Sequence, residues 1–385
     1  MESNSSKPRC KKAEFKLGEK MSERIPVGVL GATGMVGQRY IKLLENHPWF
    51  RITYVAASPR SAGKLYRDAV SSRWLIGENI PKDVADLTVQ DANDASLALG
   101  KCRFVFSALE MGKDEIKALE ERYAAEGIPV VSNASANRWT DDVPMLVPEI
   151  NFNHLDIIAS QKKSRGWDKG FIAVKPNCSL QTYMMPLHAL IRAGFPVRRM
   201  IVTTLQAVSG AGYPGVSSFD MIDNIVPYIG GEEEKTEREC LKILGEVRDG
   251  KIVNASLPIV SSTCTRVPVI DGHTASVSLE FDLPEDKKPT LEQIEKVWSE
   301  YTSVPQELKL PSAPEHPIVI RHEENRPQPR RDRETEGGMA CVIGRLRKCN
   351  VFDVKFIALS HNTKRGAALG GILNAELLKA KGFFD

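Results

Sequence analysis

The chain has 385 residues, 42% of them hydrophobic and 26% charged, a balance that fits an ordinary globular protein with room for two domains. No apolar run approaches the ~20 residues that a membrane span needs. Residues 1–24 hold seven Lys or Arg against four Asp or Glu, a net +3 that equals the net charge of the whole chain. The rest is therefore neutral, which argues against nucleic acid as a main partner, since neutralising phosphates takes a concentrated basic face.

The tail 1–24 reads as a disordered basic extension. It lacks the apolar stretch of a secretory signal, and Glu14, Glu19 and Glu23 argue against a mitochondrial address, so a cytoplasmic location is expected. Seven cysteines form an odd set, with no CxxC pair and no His at zinc-ligand spacing. Reduced thiols and no metal follow.

An apolar strand is predicted over Ile25–Leu30, followed by Gly31, Gly34 and Gly37 and then a helix carrying Val36, Tyr40, Leu43 and Leu44. Glycines at this turn let the backbone approach a pyrophosphate, which the N–H groups at the helix start can bind. The spacing GxxGxxG departs from the usual GxGxxG, but a second strand over Ile52–Ala56 completes a βαβ unit. Where an NAD enzyme would show an acidic residue, this chain reads SPRSAGK. Ser58, Arg60 and Ser61, with Lys64 nearby, offer hydroxyls and positive charge to a 2′-phosphate and favour NADP.

Further strands at 102–109 and 128–135, with a helix over 113–125 between them, predict an α/β fold: a doubly wound parallel sheet of the Rossmann type. Ligands bind beyond the carboxyl ends of such strands, where Ser107 and the loop ending in Arg138 lie. At Cys178 an apolar strand, 171–174, breaks at Pro176, and Leu180, Met184, Leu187 and Leu190 follow at helical spacing. A thiol at a helix start is favoured as thiolate. The competing reading is a small hydrophobe buried in the turn. Past this point the strands lengthen and the helices thin out, which predicts an α+β domain with a mixed sheet over 176–361. The first domain, 25–175, is completed by a C-terminal helix over 362–385. The charged run 321–338 reads as a solvated loop.

A cysteine nucleophile in a dehydrogenase points to aldehyde or acyl-phosphate chemistry, which needs a proton shuttle and anion binders. Arg266 and His273 lie seven apart, and Glu232 and Lys235 share one helical face, although by themselves a lone His at a strand edge reads as structural and EEEK as a solvated charge run. The segments GATGMVGQR, SPRSAGK, NASANR, KPNCS, QAVSGAG, EEEK and RVPVIDGH occur in the order seen in aspartate-semialdehyde dehydrogenases of the archaeal and fungal branch. The resemblance spans residues 25–385. It implies Cys178 as nucleophile with Asn177 beside the reacting phosphate, His273 as general acid and base, and Gln206 orienting the acyl intermediate. It also implies Arg266 clamping the substrate α-carboxylate, Glu232 meeting the α-ammonium, and Lys235 and Arg138 binding phosphate. Thr33, Gly34, Met35, Val36, Ser58, Arg60, Ser61, Ser107, Ser209, Gly210 and Asn362 are the implied cofactor contacts, with Gly31 and Gly37 shaping the turn. The implied reaction is NADPH-dependent conversion of 4-phospho-L-aspartate to aspartate 4-semialdehyde, a step in the biosynthesis of threonine and methionine, by a homodimer or homotetramer. An N-acetyl-glutamyl-phosphate reductase shares the glycines and the cysteine, but its substrate has no charged nitrogen for Glu232. A non-catalytic NADP sensor of the same fold could dispense with Cys178 or His273.

Overall fold

A computed structural model describes residues 24–385, so the expectation of a disordered tail falls almost wholly outside the described residues. The first sheet contains β1 (Ile25–Leu30), β2 (Phe50–Ala57), β3 (Gln90–Asp91), β4 (Phe104–Ser107), β5 (Val130–Ser132) and β6 (Ile172–Val174). Its order is β3-β2-β1-β4-β5-β6, and every pairing is parallel. Val29, Leu30, Phe104, Phe106, Val130, Val131 and Ala173 are all fully buried, the unbroken apolar pattern of strands covered on both faces. The strand order reverses between β1 and β4, so a crevice opens at their carboxyl ends.

The C-terminal helix Ala368–Ala380 returns to this sheet. Its Ile372, Leu373 and Leu377 share a core with Val27, Val29 and Tyr40. Contact with the helix Met35–Leu43 is so close that a Cβ on Gly371 would lie 1.9 Å from the Tyr40 hydroxyl.

The second sheet is built from β7 (Val197–Gln206), β10 (Ile259–Arg266), β11 (His273–Phe281), β12 (Ile318–Arg321), β13 (Cys341–Lys348) and β14 (Val354–Ser360), while β8 (Glu246–Arg248) and β9 (Lys251–Val253) form a separate hairpin. Its order is β10-β7-β11-β14-β13-β12. β7 pairs parallel with β10 and antiparallel with β11, which makes the sheet mixed. Burial alternates along β11, with Ala275, Val277 and Leu279 inward, as expected for a sheet covered on one face. The other face presents Ile201 and Ile259 to solvent.

The charged run 321–338 is only in part the solvated loop that its composition predicts: residues 322–325, Arg330 and Arg331 are exposed, but the run is organised around a buried carboxylate. Asp332 is fully buried. It accepts hydrogen bonds from Arg321 Nε (3.1 Å), Arg326 Nε (2.7 Å) and the Gln328 N–H (2.7 Å). One carboxylate thus gathers two arginines, Arg321 and Arg326, that would otherwise repel one another, and burial, which alone would raise its pKa, is outweighed so that it falls to about 2. The folded loop then reaches the second sheet, where Arg333 Nη1 donates to the Asp271 carbonyl at 3.1 Å.

Candidate active site

Strand order brings three distant side chains to one edge of the second sheet. Gln206 ends β7 and Arg266 ends β10 directly opposite it. Because β11 runs the other way, its first residue, His273, starts at the same edge. The loops after β5 and β6 of the first sheet face this edge with Arg138, Asn177 and Cys178. One cavity is lined by Arg138, Asn177, Cys178, Gln206, Glu232 and Arg266, and it extends to Met35, Val36, Ser209, Gly210 and Asn362.

Cys178 Sγ lies 3.2 Å from His273 Nε2. The other ring nitrogen, Nδ1, accepts the Ala207 N–H at 3.0 Å. A backbone N–H can only donate, so the neutral ring carries its proton on Nε2 and points it at the sulfur. Burial, with Arg266, His361 and Lys175 adding positive charge, pushes His273 down to about 3. An imidazolium would also turn its Nδ1–H against the Ala207 N–H.

The helix expected to begin at Cys178 is a single 3₁₀ turn, Ser179–Thr182, and the α-helix Met184–Arg192 starts only afterwards. The aligned peptide dipoles of a long helix are therefore missing at the thiol. Burial pushes Cys178 up to about 11, reinforced by Glu232 and opposed by Lys175, Arg138 and Arg266. The site thus holds a neutral thiol beside a neutral imidazole, which corrects the expectation of a thiolate.

Glu232 and Lys235 are a real pair, with Nζ 2.7 Å from Oε1 on the helix Glu232–Ile243. Asn177 Nδ2 donates to both carboxylate oxygens, at 3.0 and 2.9 Å, and Gln206 Nε2 to Oε2 at 3.3 Å. Burial would raise this carboxyl, but Lys235 and the amide donors outweigh it and hold it below the usual range. Arg266 is anchored by Nη1 on the Ala207 carbonyl at 2.9 Å. Gly210 packs over both Arg266 and His273, where a Cβ would come within 2.9 Å of Nη1 and 3.0 Å of the ring. A side chain there would have to displace the Arg266 guanidinium or the His273 ring.

The glycine turn opens at the crevice. Gly31 has φ +73°, and a Cβ on it would meet the Ala108 carbonyl oxygen at 2.3 Å. The helix Met35–Leu43 begins at Gly34 with no side-chain cap and no acidic residue in its first turn, so its N–H groups are open to an anion. Ser58, Arg60 and Ser61 do not line the cavity; they occupy the turn after β2, with Ser58 and Arg60 exposed. That turn neighbours the glycines, since the Ala32 N–H bonds the Ala56 carbonyl at 3.1 Å.

The chain matches two family profiles, "Semialdehyde dehydrogenase, NAD binding domain" over residues 26–158 and "Semialdehyde dehydrogenase, dimerisation domain" over 187–365. It is 46% identical over 356 residues to the aspartate-semialdehyde dehydrogenase of Methanothermobacter thermautotrophicus, covering 92% of this chain and 99% of the relative. The chain belongs to the aspartate-semialdehyde dehydrogenase family. The enzyme of that name from Cryptococcus neoformans is 45% identical over 366 residues, covering 94% of this chain and 99% of the relative. Among solved structures, the Candida albicans aspartate semialdehyde dehydrogenase with NADP superposes with a TM-score of 0.84 at 42% identity, covering 94% of this chain and all of that one. The protein is thus an oxidoreductase of amino-acid biosynthesis, and no helix among the described residues is long and apolar enough to cross a membrane.

Ser107 is fully buried at the end of β4 and does not line the cavity, whereas Glu110, three residues on, does. Asn362 lines the cavity, but its amide is engaged with the Gly272 N–H and Ser209 Oγ, both at 2.8 Å. Sequence reasoning missed Arg39, Glu110, Asn133 and Thr363, which also line the cavity. Arg39 was within reach of it, lying one helical turn beyond Met35 and Val36.

Proposed function

We propose that this chain reduces 4-phospho-L-aspartate to L-aspartate 4-semialdehyde with NADPH, through a thioester on Cys178. The observation that carries this reading is the Cys178–His273 contact at 3.2 Å, with Cys178 lining a cavity shared with Arg266, Glu232 and the start of the glycine-turn helix.

Arg266 supplies a planar two-pronged donor for the substrate α-carboxylate. Glu232, kept ionised, receives the α-ammonium. Its oxygens already take bonds from Asn177, Lys235 and Gln206. An incoming ammonium displaces one of these, and Lys235, the more exposed partner, is the one free to swing toward the phosphate. Arg138 completes the phosphate site.

The sulfur attacks the acyl carbon, the C–O bond to phosphate breaks, and phosphate departs with the proton. The open glycine turn and the uncapped helix Met35–Leu43 would hold the pyrophosphate of NADPH, which would supply the hydride for reducing the thioester. The resulting thiohemiacetal alkoxide collapses to the aldehyde and expels the sulfur as thiolate, which takes up a proton from solvent to restore the thiol. His273 serves both sulfur steps through Nε2–H, stabilising negative charge on sulfur as it attacks and as it leaves. The exposed Ser58, Arg60 and Ser61 turn selects the 2′-phosphate.

Self-association through the second sheet is supported by its solvent-facing Ile201 and Ile259, and a homodimer or a dimer of dimers is the assembly proposed. A cytoplasmic location agrees with free thiols at all six described cysteines.

The test is phosphate-dependent formation of NADPH from aspartate semialdehyde and NADP. Turnover that ignores phosphate, or that prefers N-acetyl-glutamate semialdehyde, would overturn the reading.

A further inference from the structure

Glu239 is fully buried, two turns along the helix from Glu232, and no step above uses it. Its Oε1 pairs with Arg138 Nη1 at 3.0 Å. Oε2 accepts the Asn177 N–H at 2.6 Å. Arg138 closes the ring by donating from Nε to the Lys175 carbonyl at 2.9 Å. The Lys175–Asn177 turn, which delivers Cys178, is therefore held between a carboxylate and a guanidinium that also hold each other.

We propose that Glu239 is a positioning residue that fixes the Arg138 guanidinium and the nucleophile's turn in one register. A buried carboxylate is costly to keep unless each oxygen is satisfied, and here both are, one by a cation and one by a backbone donor. Arg138 also donates from Nη2 to the Asn133 carbonyl, at 3.4 Å. Its remaining N–H groups are the ones an anion in the cavity can take, and Glu239 sets the plane in which they lie. The same helix reinforces the loop, since Lys242 Nζ donates to the Arg138 and Thr140 carbonyls, both at 2.7 Å. Glu232, Lys235, Glu239 and Lys242 thus lie along one helix as a polar strip that serves the site. Asn177 in turn is pinned twice, its N–H by Glu239 and its side chain by Glu232 and the Ser179 N–H.

The inference rests on the proposed reaction for its phosphate readout. Glu239→Gln keeps the volume but offers only one acceptor, so its NH₂ must oppose either the Arg138 guanidinium or the Asn177 N–H. Its KM for phosphate should rise about tenfold or more, with KM for the semialdehyde and for NADP within about threefold of wild type. Glu239→Asp keeps the charge one methylene short and should fall between. Glu239→Gln combined with Arg138→Met should match Arg138→Met alone in phosphate KM, because one residue acts through the other. Equal rises in all three Michaelis constants, a melting shift with unchanged kinetics, or multiplying effects in the double variant would overturn the proposal. Protection of Cys178 from alkylation by inorganic phosphate gives the same readout without turnover, and Glu239→Gln should need about tenfold more phosphate. Phosphate-independent turnover of the wild type would reject the reaction, whereas loss of that protection only in the variant would still support the positioning role.

Discussion

The state of the Cys178 thiol is the point at which the structure commits most sharply. A thiol raised from the reference value of 9.0 to about 11 has roughly a hundredfold less thiolate at any pH below about 9. Cys349 is the opposite case: burial would raise it, but the Phe352 and Val351 N–H groups, Ser278 and Lys355 outweigh this and pull it down. The perturbation is pH, applied to the substrate-free enzyme in limiting iodoacetamide, with the Cys178 and Cys349 peptides quantified from the same samples. Cys349 should be labelled first near pH 7. Cys178 labelling should climb about tenfold per pH unit from about pH 7 to pH 10, following its thiolate fraction. The slope is the test, because access scales the rate equally at every pH. A flat plateau for Cys178 between about pH 5 and pH 8 would reveal a thiolate–imidazolium pair. It would refute the tautomer assigned to His273 through the Ala207 N–H.

Arg266 and His273 should fail in different ways. Arg266→Lys keeps the charge but loses the planar fork, so KM for the semialdehyde should rise, whereas His273→Asn should lower kcat by about 10²-fold or more with KM little changed. A His273 variant with near-normal kcat in steady-state assays would place the sulfur's stabilisation elsewhere. Arg60→Asp should erode NADP use far more than NAD use, and kcat/KM with each cofactor measures it; an unchanged ratio would detach this turn from the 2′-phosphate. Lys175, buried and with its ammonium on the Pro176 carbonyl at 3.1 Å, is pushed by burial from 10.5 to about 7. A lysine with its folded pKa below the unfolded value contributes stability that is full above about 10.5 and lost as pH falls through about 7. Lys175→Met should therefore raise the melting temperature most below pH 7 and least near about pH 10, while lifting the Cys178 thiol further; an equal shift at every pH would contradict this.

Much of this protein could be read from short stretches of the chain. The glycine turn, the strand Ile25–Leu30 and the helix 113–125 are written in neighbouring residues, because a positive φ, an apolar run or a helical period needs only local sequence. Glu232 and Lys235 were legible for the same reason, as three-residue spacing makes helical neighbours. The charged run 321–338 was not, since Arg321 and Arg326 are gathered by one buried carboxylate whose burial depends on the whole domain. The site itself is a property of strand order. Gln206, Arg266 and His273 meet only because β7 lies between a parallel and an antiparallel neighbour, so that two strands end where the third begins. The protonation of Cys178 was misjudged from sequence for a related reason. The turn after it is visible locally, but the burial that raises the thiol and the Ala207 N–H that fixes His273 come from distant segments, and only the folded chain brings them together.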